Sequence, residues 1–235
     1  MFGYRYYYGF DIYYLVLVIP AMIFAMWAQS KVKSTFNEYS RVTTYSRMTG
    51  FEAARRILDA NGLRHVAIER VSGSLTDHYD PRTNVIRLSD SVYASSSVAA
   101  IGVAAHEAGH AVQYAVGYTP VKVRSAIIPV CQIGSNLSWP LIMLGLITSM
   151  GGLVNLGLVL FATVAVFQFV TLPVELNASN RAVDALAMSG CITETELYGV
   201  EKVLQAAAMT YVAALAVSLA NLFRLVMIFG GRRRD

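Results

Sequence analysis

The sequence predicts an α-helical membrane protein of about four transmembrane helices carrying one small α+β subdomain. Three observations predict it. Charged residues make up only 14% of the chain against 55% hydrophobic, whereas a soluble domain is nearer a quarter charged; mean hydropathy is +0.48. Four apolar stretches, residues 12–28, 126–150, 153–172 and 207–229, each approach the roughly 17–25 residues that a spanning helix needs. The remaining polar character collects in residues 29–125, where strand and turn patterns run directly into one further helix.

In chain order, Tyr4, Tyr6, Tyr7, Tyr8, Tyr13 and Tyr14 are suited to an interfacial belt around the first span. Met26-Trp27-Ala28 is a poor small-x-small cleavage site and the leader carries little positive charge. Residues 1–29 are therefore expected to be an uncleaved anchor rather than a signal peptide. Thr49-Gly50-Phe51-Glu52 reads as a capping box that opens a helix, and Asn61-Gly62 as its stop. Val66-Ala67-Ile68, residues 75–79 and residues 85–88 read as strands, separated by turns at Ser72-Gly73-Ser74 and Asp80-Pro81-Arg82. Their order suggests a small β-meander whose edge is free to pair with an extended peptide.

Ser95-Ser96-Ser97 then offer helix caps, residues 98–116 are mostly helix-compatible, and Gly117 is a natural stop. Within that helix stands Ala-Ala-His106-Glu107-Ala-Gly-His110-Ala. A spacing of four places His106 and His110 on one helix face, where two imidazoles on adjacent turns can grip one Zn²⁺. Glu107 beside them is suited to general-base work. It breaks an otherwise small and apolar run, and a buried carboxylate without a partner is costly, so a nearby cation is the economical explanation. Gln113 and Val116 stand where the longer metzincin pattern would have a glycine and a third histidine. No histidine follows His110, so a third ligand must be a carboxylate from elsewhere or an upstream histidine.

Residues 126–172 read as a transmembrane hairpin, with Gln132 and Asn136 facing the bundle interior and Gly151-Gly152 as the tight turn. Two crossings return the chain to the face that holds the histidine pair. There Pro173 suits the first turn of a new helix, and Glu175 is the best-placed acid to complete a His₂Glu set. One turn on, Ser179 is placed to orient a ligand. Thr193-Glu194-Thr195-Glu196 is a second capping box, opening a long helix whose second half, residues 207–229, can span. Arg224 in that span is expected to snorkel toward the basic end of the chain. The blocks are thus 1–29 (anchor), 30–125 (subdomain with the metal helix), 126–172 (hairpin), 173–206 (third-ligand helix and start of the long helix) and 207–235 (last span and basic tail), acting as one functional unit. Cys131 and Cys191 have no metal spacing and read as structural. Arg232-Arg233-Arg234 fits a membrane-surface anchor, and nothing indicates nucleic-acid binding.

His106-Glu-Ala-Gly-His110, followed by Glu175-Leu-Asn-Ala-Ser179, resembles the bacterial YugP-like family of membrane zinc metallopeptidases. The Asp77-His78-Tyr79-Asp80-Pro81-Arg82 segment and the arrangement of spans match it too, so the resemblance covers nearly the whole chain. It implies a gluzincin-like peptidase with a zincin-like subdomain, with one Zn²⁺ per chain held by His106, His110 and Glu175, and Glu107 as base. More distantly the chain is similar to the HtpX and CAAX-processing membrane proteases, whose third-ligand helix reads Glu-x-x-x-Asp; Ser179 stands here in place of that Asp. His78 could be an alternative ligand, a substrate contact or a turn residue. Arg181 and Tyr198 could stabilise an oxyanion, and Arg181 could equally pair with Asp184 or a lipid phosphate.

The expected reaction is zinc-dependent hydrolysis of peptide bonds in protein substrates at the membrane surface, endopeptidase in type, with membrane protein quality control as the wider role. An intramembrane site-2-type protease is the alternative, although no Asp-Gly pair is present. The other alternative is a non-catalytic zinc-containing scaffold, which would have no use for Glu107. Lys31, Lys33, Arg41, Arg47, Lys122, Arg124 and Lys202 lie on the side of the site and Arg5 on the other; residues 232–234 argue the opposite way. The majority places a multi-pass protein in the bacterial inner membrane with its catalytic face in the cytoplasm. The expected partners are the lipid bilayer and a peptide or protein substrate, and an oligomer or regulatory membrane partner is compatible.

Overall fold

Helices longer than most soluble proteins use dominate the fold. The structure, a computed structural model, describes residues 11–229; the tyrosines at 4–8, Arg5 and the arginines at 232–234 lie outside the described residues. A wide-wound stretch, Tyr14–Val18, leads into α1 (Ile19–Tyr39). There follow α2 (Gly50–Ala60), β1 (Ala67–Val71), β2 (His78–Asp80), β3 (Val85–Ser89), the short α3 (Asp90–Tyr93) and α4 (Val98–Ala115). The chain continues through α5 (Thr119–Ile147), α6 (Gly151–Met188) and α7 (Glu194–Phe229). Among the described residues, four helices are long and apolar enough to cross a membrane: Tyr14–Tyr39, α5, α6 and α7.

The chain divides into two compact units. One comprises Gln29–Lys122 and Leu172–Thr210. Its α2 begins with the reciprocal cap the sequence implies: Thr49 Oγ1 accepts the Glu52 N–H at 3.2 Å, and Glu52 Oε2 accepts the Thr49 N–H at 2.8 Å. The buried face of α2 (Ala53, Ala54, Ile57, Leu58) packs into one core with Ile86, Leu88, Val92, Ile101, Ala104, Ala105, Ala108 and Leu186. The same capping logic holds at α7, where the Thr193 N–H donates to Glu196 Oε2 at 2.7 Å and Thr193 Oγ1 accepts the Glu196 N–H at 3.3 Å.

The sheet is not a meander. Its order is β1-β3-β2, with β3 parallel to β1 and antiparallel to β2. The reason is burial: Val85, Ile86, Leu88 and Ser89 of β3 are buried, whereas the polar β1 and β2 are mostly exposed or half-buried. The strand with the most apolar surface takes the centre, and the two polar strands cover its edges.

The second unit comprises Val123–Thr171 with the flanking stretches up to Ala28 and from Tyr211 onward. α5 and α6 meet along a seam of small residues. A Cβ added at Gly134 would lie 2.5 Å from Thr163 Oγ1, and one at Gly157 would lie 2.8 Å from the Ser138 carbonyl, the close backbone approach typical of membrane helix pairs. Gln132 and Asn136 are exposed rather than facing this seam, because Gly134 and Ser138 take the positions where the helices touch. The turn between the two helices is formed by residues 148–150, with Ser149 at φ 56°, and Gly151-Gly152 are the first residues of α6. Pro173 does not start a helix. It lies inside α6; one missing N–H and one strained carbonyl are outweighed by the packing of the flanking turns. Arg224 has a protein partner at its tip. It donates to Asp11 Oδ2 through Nε at 2.8 Å and Nη2 at 2.6 Å, with its guanidinium 5.0 Å from the centre of the Tyr14 ring, so a carboxylate pairs the charge within an apolar helix. Cys131 and Cys191 are free thiols.

Candidate metal centre

α4 is built to be buried. Ser97 caps it by accepting the Ala100 N–H at 3.2 Å, and Gly117 beyond its end has φ +68°, as a left-handed stop requires. Its small residues let neighbours approach closely. A Cβ at Gly109 would sit 2.6 Å from the carbonyl oxygen of Ala178 on α6, so α4 and α6 are nearly in backbone contact between His106 and His110. On the same side of α4, the two imidazoles lie edge to face with ring centres 4.7 Å apart.

The turn of α6 opposite them supplies Glu175. Its Oε2 lies 3.3 Å from His106 Nε2 and 3.4 Å from His110 Nε2. Among the described residues these three form the one group whose donor atoms, within 4.8 Å of one another, could hold a metal ion. Glu175 is 2% exposed. The outer ring nitrogens are also held: His106 Nδ1 is hydrogen-bonded to Ser179 Oγ at 3.1 Å, and His110 Nδ1 to Gln113 Oε1 at 3.0 Å. Burial pulls the His110 imidazole toward neutrality, yet the Glu175 hydrogen bond and the charges of Glu107 and Glu175 hold its pKa above the ordinary value. The pocket is therefore electrostatically made for a positive charge. Two imidazoles and a carboxylate are also the donor set of known zinc sites that leave a fourth position open. The residues present fit the ion.

Glu107 is buried, 8% exposed. Its Oε2 accepts the backbone N–H of Tyr79 on β2 at 2.9 Å. That strand is anchored just before Tyr79, where the Asp77 carboxyl accepts the Ser89 N–H at 2.7 Å and the Ser89 hydroxyl at 2.9 Å. Burial raises the Asp77 pKa; the Ser89 bonds oppose this and the Glu107 charge adds to it. Tyr79 itself stacks obliquely on Tyr114 of α4, with ring centres 5.6 Å apart, and donates its hydroxyl to Asn84 Oδ1 at 2.6 Å.

Of the residues singled out from the sequence, His106, His110, Glu175, Glu107 and Ser179 meet here. His78 is not with them: its side chain is exposed and its Nδ1 lies 2.9 Å from the Thr76 carbonyl. Arg181 turns to Asn177, donating from Nε to Oδ1 at 2.8 Å, and pairs with neither Asp184 nor the donor group. Tyr198 is exposed, under the ammonium of Lys202. Sequence reasoning missed three participants. Gln113 and Asn177 are polar residues three and two positions from candidate ligands, a spacing that could have marked Gln113 in so apolar a helix. The Tyr79 N–H leaves no trace in side-chain patterns.

The match of a known family agrees with this geometry. A family described as "Putative neutral zinc metallopeptidase" matches residues 14–230. The chain is 49% identical over 216 residues, covering 92% of this chain and 96% of the other, to "Putative membrane protease YugP" of Bacillus subtilis (strain 168). No solved structure matches.

Proposed function

Since the chain belongs to this neutral zinc metallopeptidase family, we propose that it is a membrane-embedded peptidase whose active centre is the His106–His110–Glu175 group with Glu107. The observation that carries the proposal is the convergence of His106 Nε2, His110 Nε2 and Glu175 Oε2 beside a buried carboxylate on the same helix. When bound, a zinc ion supplies Lewis acidity that lowers the pKa of a water and polarises a carbonyl.

The chain's own residues supply the rest. Ser179 and Gln113 hold the outer nitrogens of the two rings and so aim the inner ones. The Tyr79 N–H steadies Glu107 Oε2, so that the carboxylate can take a proton from the attacking water and deliver it to the leaving amine. Burial of Glu107 and Glu175 strengthens each of these interactions. β2 pairs with β3 along one edge, and an extended substrate segment is proposed to lie along its other edge, beside the bond from Tyr79 to Glu107. The substrate is a protein at the membrane surface, cut internally. The chain is placed as a multi-pass protein of the bacterial inner membrane with this centre on the cytoplasmic side, on the strength of Lys31, Lys33, Arg41, Arg47 and Lys122.

The test is a pair of purified variants assayed for zinc content and casein hydrolysis. Glu107→Gln should keep zinc and lose at least ~10²-fold in rate; His106→Ala should lose both. Hydrolysis by Glu107→Gln at the wild-type rate would remove Glu107 as base, and zinc bound without hydrolysis in the wild type would favour the scaffold reading.

A further inference from the structure

Gln113 is fully buried and bridges the two helices that carry the candidate ligands. Its side-chain nitrogen donates to the Val174 carbonyl at 2.7 Å and to Asn177 Oδ1 at 3.0 Å; its oxygen faces His110 Nδ1 at 3.0 Å. The orientation of this amide can be deduced from its surroundings. A backbone carbonyl only accepts, so the Gln113 atom facing Val174 must be the NH₂. Arg181 carries donors only, so the Asn177 atom facing its Nε at 2.8 Å is the oxygen; that oxygen too demands the NH₂ of Gln113. Both constraints turn the Gln113 oxygen toward His110. An amide oxygen only accepts, so Gln113 calls for the hydrogen on Nδ1, and the neutral ring then keeps its lone pair on Nε2, free for a metal ion.

We infer that Gln113 is a positioning residue: Val174, Asn177 and Arg181 lock its amide, and the amide locks His110 in the tautomer that can ligate through Nε2. The inference rests on the metal reading of the His106–His110–Glu175 group. It goes beyond that reading by assigning the tautomer and its source. Because Val174 adjoins Glu175, the same side chain also ties the turn bearing one candidate ligand to the ring of another. Ser179 does not duplicate this role at His106, since a hydroxyl can donate or accept and imposes no tautomer.

The experiment compares full-length wild type, Gln113→Leu and Gln113→Glu in detergent. Zinc affinity is measured by competition with a chromophoric chelator, and apo-protein melting and size-exclusion profiles serve as folding controls. Leucine keeps the bulk and removes the acceptor, so zinc affinity should fall about 10–100-fold. Glutamate keeps an acceptor for the Nδ1–H but not the donors to Val174 and Asn177, so its affinity should fall less than that of Gln113→Leu. Equal affinity in Gln113→Leu and wild type, or equal loss in both variants, would overturn the inference. A second measurement does not depend on the variants folding: ¹⁵N-histidine NMR of zinc-loaded wild type should show His110 protonated at Nδ1 and metallated at Nε2. The reverse assignment would overturn it. A wild type that binds no zinc would instead bring down the metal reading, and this inference with it.

Discussion

Gly109 and Ala178 are in near-backbone contact: a single carbon added to Gly109 would sit 2.6 Å from the Ala178 carbonyl oxygen. This approach is what allows a glutamate on α6 to reach between two histidines on α4. Small residues around it (Ala105, Ala108, Ala182) are all buried, so neither helix has room to slide aside.

Gly109→Ala should therefore separate the helices at the centre itself. Overpacking of this kind costs about 1–3 kcal/mol, and a shift of a few tenths of an ångström should weaken zinc binding by about tenfold, since ligand geometry is strict. Gly152→Ala is the control, because nothing lies within 4 Å of its added carbon. Melting temperature and chelator competition would check both, and wild-type zinc affinity in Gly109→Ala would contradict the contact's importance.

Asp77 makes a pH-dependent prediction. Its pKa is raised above the ordinary 3.8 by burial, with the Glu107 charge adding. A carboxyl raised in the folded state contributes its stability while protonated and loses that contribution as pH climbs through the raised value. Asp77→Asn is neutral at every pH and escapes this loss. Its melting temperature relative to wild type should rise from about pH 4 to about pH 7. A difference that stays flat or falls across that range would refute the assignment.

The pair Arg224–Asp11 should behave as a unit. Arg224→Met leaves the Asp11 carboxylate without its guanidinium, in a span with side chains only 19% and 28% exposed. The cost should be about 1–3 kcal/mol, between that of an exposed pair and that of a wholly buried one. Asp11→Asn combined with Arg224→Met should recover most of it. A double-mutant cycle in detergent or bicelles measures the coupling, and strictly additive losses would show there is none.

Membrane orientation can be read with a reporter inserted at Ser72, an exposed residue between β1 and β2. With the centre in the cytoplasm, an alkaline phosphatase fusion there should be inactive and a cytoplasm-active fluorescent fusion bright. The opposite pattern would reverse the proposed orientation.

By itself the sequence determined what is local. Helix caps at Thr49, Ser97 and Thr193, the four apolar helices, and the shared face of His106 and His110 follow from spacing and side-chain chemistry within a few residues. Glu175 could also be singled out as a candidate, because the hairpin of α5 and α6 brings the chain back and few acids are available. Tertiary structure decided what depends on distant neighbours. β3 became the central strand because its apolar residues had to be covered on both edges, and Pro173 stayed inside α6 because packing outweighs one lost hydrogen bond. The Glu107 carboxylate is held by a backbone N–H twenty-eight positions away, and the Gln113 amide by groups on another helix. Such bonds depend on where separate elements come to rest, and no periodicity along the chain encodes that.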